Sequence, residues 1–313
     1  MLTGVPMNNG FDFRDLFIFE MANNHQGRVE HGRRIIEELA RIAQAKGVRA
    51  AVKLQFRQLE TMIHPAHRET SGNKHIGRFQ STRLTKDEFG CLVEETRKHG
   101  LVTICTPFDE PSVDMILDLG IEVVKIGSCS ATDWPLIEKV ADCDKPVIFS
   151  TGGLTMKEID DLVSFFDHRR VSHAIMHCIA IYRTPDDRLQ LNQISALCRR
   201  YPDKVIGFST HEDPGDFSPV QIAVAKGARI FERHVGAEVE GVTLNAYSAN
   251  PAQIERWLDA YLKAKRLCGD EVRPPASPEE VDAASRSSGT TCISRCRASP
   301  GNSRRASGRP ASP

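Results

Sequence analysis

Between Leu16 and Leu267 one phrase recurs eight times: a short β-branched or apolar run, a polar turn, then a segment with apolar residues at helical spacing. The runs are Leu16–Met21, Ala50–Leu54, Leu101–Cys105, Glu122–Ile126, Pro146–Ser150, His173–Cys178, Val205–Ser209 and Arg229–Val235. Helical stripes follow them, as in Ile35, Leu39 and Ile42, in Phe89, Leu92, Val93 and Thr96, and in Ile159, Leu162, Val163 and Phe166. Strands that alternate with helices pair in parallel through crossovers, which confines the chain to the α/β class. Eight such units over about 250 residues are the size of a (β/α)8 TIM barrel. An open doubly wound sheet is the rival, because alternation alone does not prove closure.

Helix signals support the reading. Asn250 and Pro251 form an N-cap and first helical position ahead of a stripe of Ile254, Trp257, Leu258, Tyr261 and Leu262. Thr85-Lys86-Asp87-Glu88 reads as a capping box. The stretch from Gln58 to Leu84 is a long second βα loop, which in a barrel lies on the catalytic face. After Gly269 the apolar periodicity ends, so residues 1–270 are expected to form the barrel and residues 271–313 a disordered tail rich in Ser, Pro, Gly and Arg.

The charge balance of 41 basic against 41 acidic residues hides two unlike parts. Six arginines and no acidic residue follow Ala283, which leaves 35 basic against 41 acidic residues before it. That tail reads either as a cationic segment for an acidic partner or as non-native coding from a shifted frame. The total predicts neither a nucleic-acid surface nor a membrane-binding one. No apolar run approaches the roughly 18 residues of a membrane span, and the opening residues lack a secretory layout, so the expected compartment is the cytoplasm. Nine cysteines, without CxxC spacing before residue 270, suit reduced thiols.

In a barrel the reacting groups stand at the C-terminal strand ends. There the sequence offers Glu20, Lys53, Gln55, Thr106, Lys125, Ser128, Ser150, Thr151, His177, Ser209, His211, Glu232 and His234. Lys53 and Lys125 interrupt apolar strand patterns, where a cation needs an anion. Two readings follow: a buried ion pair with Glu20 or Glu232, or a grip on a substrate phosphate or carboxylate completed by Ser128, Ser150, Thr151 and the amides of Gly152 and Gly153. Two lysines on different strands favour the grip. His211 and His234 would each, alone, be a hydrogen-bonded structural residue; as neighbours beside two lysines they read as ligands of a divalent ion. His177 has no such partner and reads as a core histidine.

These residues lie in motifs that together resemble the N-acetylneuraminate synthase family: FEMANNHQG, AVKLQF, CTPFDE, VKIGS, STGG, HCIAIYRTP, GFSTHE and FERHVG. The resemblance covers Leu16 to Leu267 and includes the sialic, legionaminic and pseudaminic acid synthases. It implies condensation of phosphoenolpyruvate with an N-acylated amino sugar, giving a nonulosonic acid and phosphate by C–O cleavage. By motif match, Lys53, Thr106, Lys125, Ser128, Ser150 and Ser209 would hold phosphoenolpyruvate. His211 and His234 would bind a divalent metal, Mn2+ first, with Mg2+ or Co2+ as alternatives. Glu20 would contact the sugar, and Gln55 and Tyr182 would shape the pocket. A homodimer is left open by the resemblance.

The sequence departs from the family pattern on the sugar side. Ile179, Ala180 and Arg183 replace polar or proline positions, and Leu244 stands where the family has an Asp. No strand pattern after Gly269 matches the family's small antifreeze-like domain, which is expected to be absent. An altered acceptor or weakened catalysis follows from these departures. Two other readings are kept: a non-catalytic barrel that binds phosphoenolpyruvate and metal, and a metal-dependent sugar isomerase or aldolase.

Overall fold

The computed structural model describes residues 10–67, 73–239, 241 and 243–287. Part of the expected tail (288–313), residues 68–72 of the long loop and Val242 lie outside the described residues. Eight parallel strands follow in chain order: β1 (Leu16–Glu20), β2 (Arg49–Phe56), β3 (Val102–Pro107), β4 (Val123–Ile126), β5 (Val147–Ser150), β6 (His173–Cys178), β7 (Ile206–Thr210) and β8 (Ile230–His234). Each pairs with the next, and β8 returns to β1 with Leu16 opposite Ile230 and Glu20 opposite His234. That last ladder excludes the open sheet. β6 matches its expected run, the other strands begin or end one or two residues from theirs, and β2 runs on through Phe56.

Period-two alternation divides each strand between two cores. Leu16, Ile18, Ala51, Ile104, Val123, Ile148, Ala174, Met176 and Ile230 fill the barrel. Their outward neighbours, such as Phe17, Phe19, Val52, Leu54 and Phe149, meet the helices. Gly207 lets β7 and β8 approach closely, because a β-carbon there would lie 2.8 Å from Ile230 Cβ and 2.9 Å from its carbonyl oxygen.

The helices are α1 (Val29–Lys46), α2 (Leu59–Met62), α3 (Lys74–Ser81), α4 (Lys86–Lys98), α5 (Glu110–Asp118), α6 (Trp134–Ala141), α7 (Met156–His168), α8 (Asn192–Arg200), α9 (Ser218–Ala225) and α10 (Pro251–Cys268). The expected stripes face the sheet: Ile35, Leu39 and Ile42 of α1, and Trp257 and Leu258 of α10, are all buried. Each such side chain contributes about 1.5–3 kcal/mol of burial. Thr85 and Glu88 form the reciprocal capping box of α4, and Asn250 and Gln253 exchange side-chain-to-backbone bonds of 2.9 Å at the start of α10. The long second loop carries α2 and α3.

Residues from Gly269 onward form a separate unit. The expectation of no regular structure there is corrected over one stretch, where α11 (Pro278–Ser287) forms. Ser277 Oγ accepts from the Glu280 amide at 3.1 Å, so an N-cap with proline at the first position starts a helix that apolar periodicity does not reveal. Among the described residues no helix is long and apolar enough to cross a membrane, and the seven described cysteines are free.

Candidate active site

The alternation that fills the barrel with apolar side chains continues to its C-terminal mouth, where the inward positions become polar. Glu20, Lys53 and Gln55, Thr106, Lys125, Ser150, Ser209, and Glu232 and His234 end β1, β2, β3, β4, β5, β7 and β8 respectively. With Ser128, Tyr182 and His211 from the following loops they line one cavity of about 360 Å³. The eleven residues that the family resemblance assigns to the site all line it, whereas Thr151, also expected on the anion side, does not and donates from Oγ1 to the Met176 carbonyl at 3.2 Å.

Lys53 lies between two carboxylates, its Nζ 2.5 Å from Glu20 and 3.0 Å from Glu232. The ion-pair reading of this lysine is therefore realised. Burial works against its charge, but Glu20 and Glu232 outweigh it and raise its pKa. Burial likewise opposes ionisation of Glu232, and Lys125 with Lys53 overcomes it, lowering that carboxyl to about 2. At Glu20 burial prevails over Lys53 and the pKa rises. Lys125 is differently placed: it donates to Ser150 Oγ at 2.5 Å, and Glu232 is 3.9 Å away. Burial lowers its pKa, so its cation is the less compensated of the two.

Beside Lys125 the Gly152 amide donates to Ser128 Oγ at 3.0 Å. A β-carbon at position 152 would lie 2.7 Å from that oxygen and 3.2 Å from the Ala180 amide nitrogen, so any larger residue would have to displace Ser128 Oγ or the Ala180 backbone. Thr106 Oγ1 is buried without a hydrogen-bond partner among the described residues. Hydroxyls, an amide and a lysine thus converge on the β4–β5 side.

The two histidines occupy the opposite side with ring centroids 5.3 Å apart. His211 Nδ1 lies 3.2 Å from the Ile179 carbonyl oxygen and donates to it, which leaves Nε2 as the lone-pair nitrogen. His234 Nδ1 is buried without a hydrogen-bond partner among the described residues. Burial first, then the other imidazole, depresses His211 to about 3; burial and Lys53 depress His234 to about 3. Both rings are neutral at pH 7, the state a metal ligand needs. Tyr182 packs on His211 at 4.3 Å and Tyr247 on His234 at 5.0 Å.

His177 points outward, its Nε2 2.8 Å from the Leu189 carbonyl oxygen, as expected of a core histidine. Glu37, Glu95 and His99 also cluster, but on the outer helix α4 and its neighbour α1, with Glu95 already bonded to Lys98 at 2.8 Å.

The sequence profile of the NeuB family matches residues 39–273. The chain belongs to the NeuB family. A protein from Chromobacterium violaceum ATCC 12472 assigned as spore coat polysaccharide biosynthesis protein E is similar to this NeuB-family chain with a TM-score of 0.84 and 46% identity, over 87% of this chain and 81% of that one. N-acetylneuraminic acid (sialic acid) synthetase from Leptospira borgpetersenii serovar Hardjo-bovis, solved with citrate, has a TM-score of 0.76 at 27% identity, over 88% of this chain and 92% of that one. N-acetylneuraminate-9-phosphate synthase of Drosophila melanogaster is 30% identical over 229 residues, 69% of this chain and 59% of that enzyme.

Within this NeuB-family barrel the divergent residues lie in the loops after β6 and β8. Ile179 contributes its carbonyl to His211, Ala180 lines the cavity, and Arg183 pairs with Asp213 at 2.5 Å. Leu244 covers Gly236, its Cδ2 2.6 Å from where a β-carbon of residue 236 would stand. Sequence reasoning gave Glu232 no role beyond ion pairing and passed over Tyr247 and Arg57. Counting back two places from His234 would have put Glu232 at the centre; nothing local marks Arg57 or Tyr247.

Proposed function

We propose that this barrel condenses phosphoenolpyruvate with an N-acylated amino-sugar aldehyde to give a nonulosonic acid and inorganic phosphate. The observation that carries the reading is the division of one cavity into an anion side, with Lys125, Ser128, Ser150 and the Gly152 region, and a side with two neutral imidazoles, His211 and His234. The synthase names of the Leptospira and Drosophila relatives support it.

Lys53, Thr106, Lys125, Ser128, Ser150 and Ser209 hold phosphoenolpyruvate, with Lys125 providing the least compensated charge. Glu20, Gln55 and Tyr182 position the acceptor. The methylene carbon of phosphoenolpyruvate attacks the aldehyde carbon, whose oxygen takes a proton, and positive charge develops on the neighbouring carbon that bears the phosphate. Water adds to that neighbouring carbon and loses a proton, and the C–O bond to phosphate breaks to leave a keto group and inorganic phosphate. His211 and His234 fit a divalent ion, Mn2+ before Mg2+ or Co2+, because one imidazole has a fixed tautomer and the other an unpartnered buried nitrogen. When bound, that ion would supply Lewis-acid polarisation of the aldehyde.

Ala180 presents a methyl to the cavity and Leu244 packs over Gly236, both at positions where the family pattern is polar, which supports an acceptor differing from N-acetylmannosamine in its polar groups. The test is phosphate release from phosphoenolpyruvate with Mn2+ and a panel of N-acyl mannosamines and related hexoses, before and after chelation. Acceptor-dependent, chelator-sensitive release is expected. No release with any acceptor, while calorimetry still shows phosphoenolpyruvate binding, would leave the non-catalytic barrel as the better reading.

A further inference from the structure

Arg233 and Glu212 form an ion pair through Nη2 and Oε1 with each side chain only 1% exposed. Arg233 follows Glu232 and precedes His234, both of which face the cavity, so alternation turns the guanidinium to the outer face of the sheet. There its carbon lies 5.5 Å from the Trp257 ring centroid, and Nη1 donates to the Pro214 carbonyl at 3.4 Å. Glu212 is the outward neighbour of His211 in the loop after β7. Neither charged group lines the cavity.

The register explains why this pair matters. The last rung between β7 and β8 joins Thr210 to Arg233. His211 and His234 both lie one residue beyond it, where no β7–β8 ladder bond sets their spacing. Arg233 supplies the missing tie twice, through the Glu212 carboxylate and the Pro214 carbonyl. As a stabiliser such a pair is a poor choice, since well-packed apolar side chains of similar volume commonly serve a buried site as well or better. A geometric tie has no apolar substitute, because only the charged, hydrogen-bonded pair fixes direction as well as distance.

We propose that Arg233 and Glu212 are positioning residues for the metal pair: by clamping the β7 loop to β8 on the outer face, they fix the separation of His211 and His234 on the inner one. The inference rests on the metal reading of those two histidines. It extends the metal site to a second layer on the opposite face of the sheet, where partners of ligands hold their orientation.

The test is titration of the intact chain with Mn2+ alone, free ion being read by electron paramagnetic resonance, on wild type, Arg233→Met, Glu212→Gln and the charge swap Arg233→Glu with Glu212→Arg. Either single change should weaken Mn2+ binding by about 10–100-fold, and the swap should recover part of the loss. Binding of phosphoenolpyruvate without metal, measured by calorimetry, should be unchanged, a separation that general loosening of the barrel would not produce. Should a single variant fail to fold, Arg233→Met with Glu212→Leu replaces the pair by apolar groups and should fold yet still bind Mn2+ weakly. Folded variants that hold Mn2+ as tightly as wild type overturn the proposal alone. A wild-type chain that takes up no Mn2+, or a His211→Ala variant that retains it, overturns the metal reading and this proposal together.

Discussion

Arg57 donates from Nη2 to Gln55 Oε1 at 2.5 Å, with its guanidinium 4.3 Å from the Phe79 ring centroid and 3.9 Å from that of Phe108. The amide oxygen of Gln55 is thereby occupied, and its NH2 is left to donate in the cavity that Gln55 lines. Among the described residues no carboxylate lies within ion-pair distance of Arg57, and burial lowers its pKa to about 10. Arg57→Met frees the amide to turn. We expect the acceptor KM to rise about tenfold with kcat little changed, the loss of one charge-assisted bond. Steady-state phosphate release checks it, and an equal fall in kcat would point to a different role.

Lys53 joins two carboxylates, and without it Glu20 would keep no cation within ion-pair distance among the described residues while Glu232 would keep only Lys125 at 3.9 Å. Lys53→Met should destabilise the fold by about 3–5 kcal/mol, the usual consequence of leaving buried charge uncompensated, and should abolish phosphate release. Lys53→Met with Glu20→Gln should recover part of the stability without activity. Denaturant titration of the three proteins decides, and a Lys53→Met protein as stable as wild type would contradict the network described above.

The approach of Gly152 to Ser128 predicts a selective defect. In Gly152→Ala the added methyl displaces Ser128 Oγ or the Ala180 backbone, both on the anion side. Phosphoenolpyruvate affinity should fall by about tenfold, equivalent to one hydrogen bond of about 1.4 kcal/mol, with Mn2+ affinity retained. Calorimetry with each ligand separately makes the comparison, and loss of both would show a wider collapse.

His25 is 2% exposed, and burial above all, aided by His31 and Arg57, depresses its pKa from 6.5 to about 4. Its Nδ1 accepts from the Gly27 amide at 3.1 Å, which suits the neutral ring. The folded pKa lies below the unfolded one, so above pH 6.5 the full stability contribution is present. As pH falls from 6.5 towards 4 the unfolded chain takes up the proton first, and stability declines at up to about 1.4 kcal/mol per pH unit from this group. His25→Asn should flatten that part of the stability profile in denaturant titrations at pH 7, 5.5 and 4.5. An unchanged slope would assign the acid sensitivity to other groups, such as His173 and His177, which burial also depresses.

Much of the site was legible because a barrel converts chain position directly into place. Once alternation with helices marks the strands, period two says which side chains enter the barrel, and the polar residues at strand ends must share its mouth; Lys53, Lys125, Ser150, Ser209 and His234 were found in this way. Glu232 was visible by the same rule, but its competing role as a partner for lysine obscured its place at the centre. The helix of the C-terminal unit was missed because a short capped helix whose Val281, Ala283 and Ala284 are all exposed buries no apolar stripe to read.

Other features exist only in three dimensions. Closure through β8 and β1 depends on the strand twist, and the close approach of β7 to β8 depends on the space left by Gly207. Which lysine is compensated was undecidable along the chain, since Glu232 is 179 residues from Lys53 and 107 from Lys125, yet it stands 3.0 Å from one and 3.9 Å from the other. The sequence by itself determined the fold class, the inward set and the chemistry available at the mouth, because those follow from local periodicity and residue type. The tertiary structure decided which charges neutralise each other, how the imidazoles are held and which outward residues hold them, because distances of a few ångströms between distant strands set those energies.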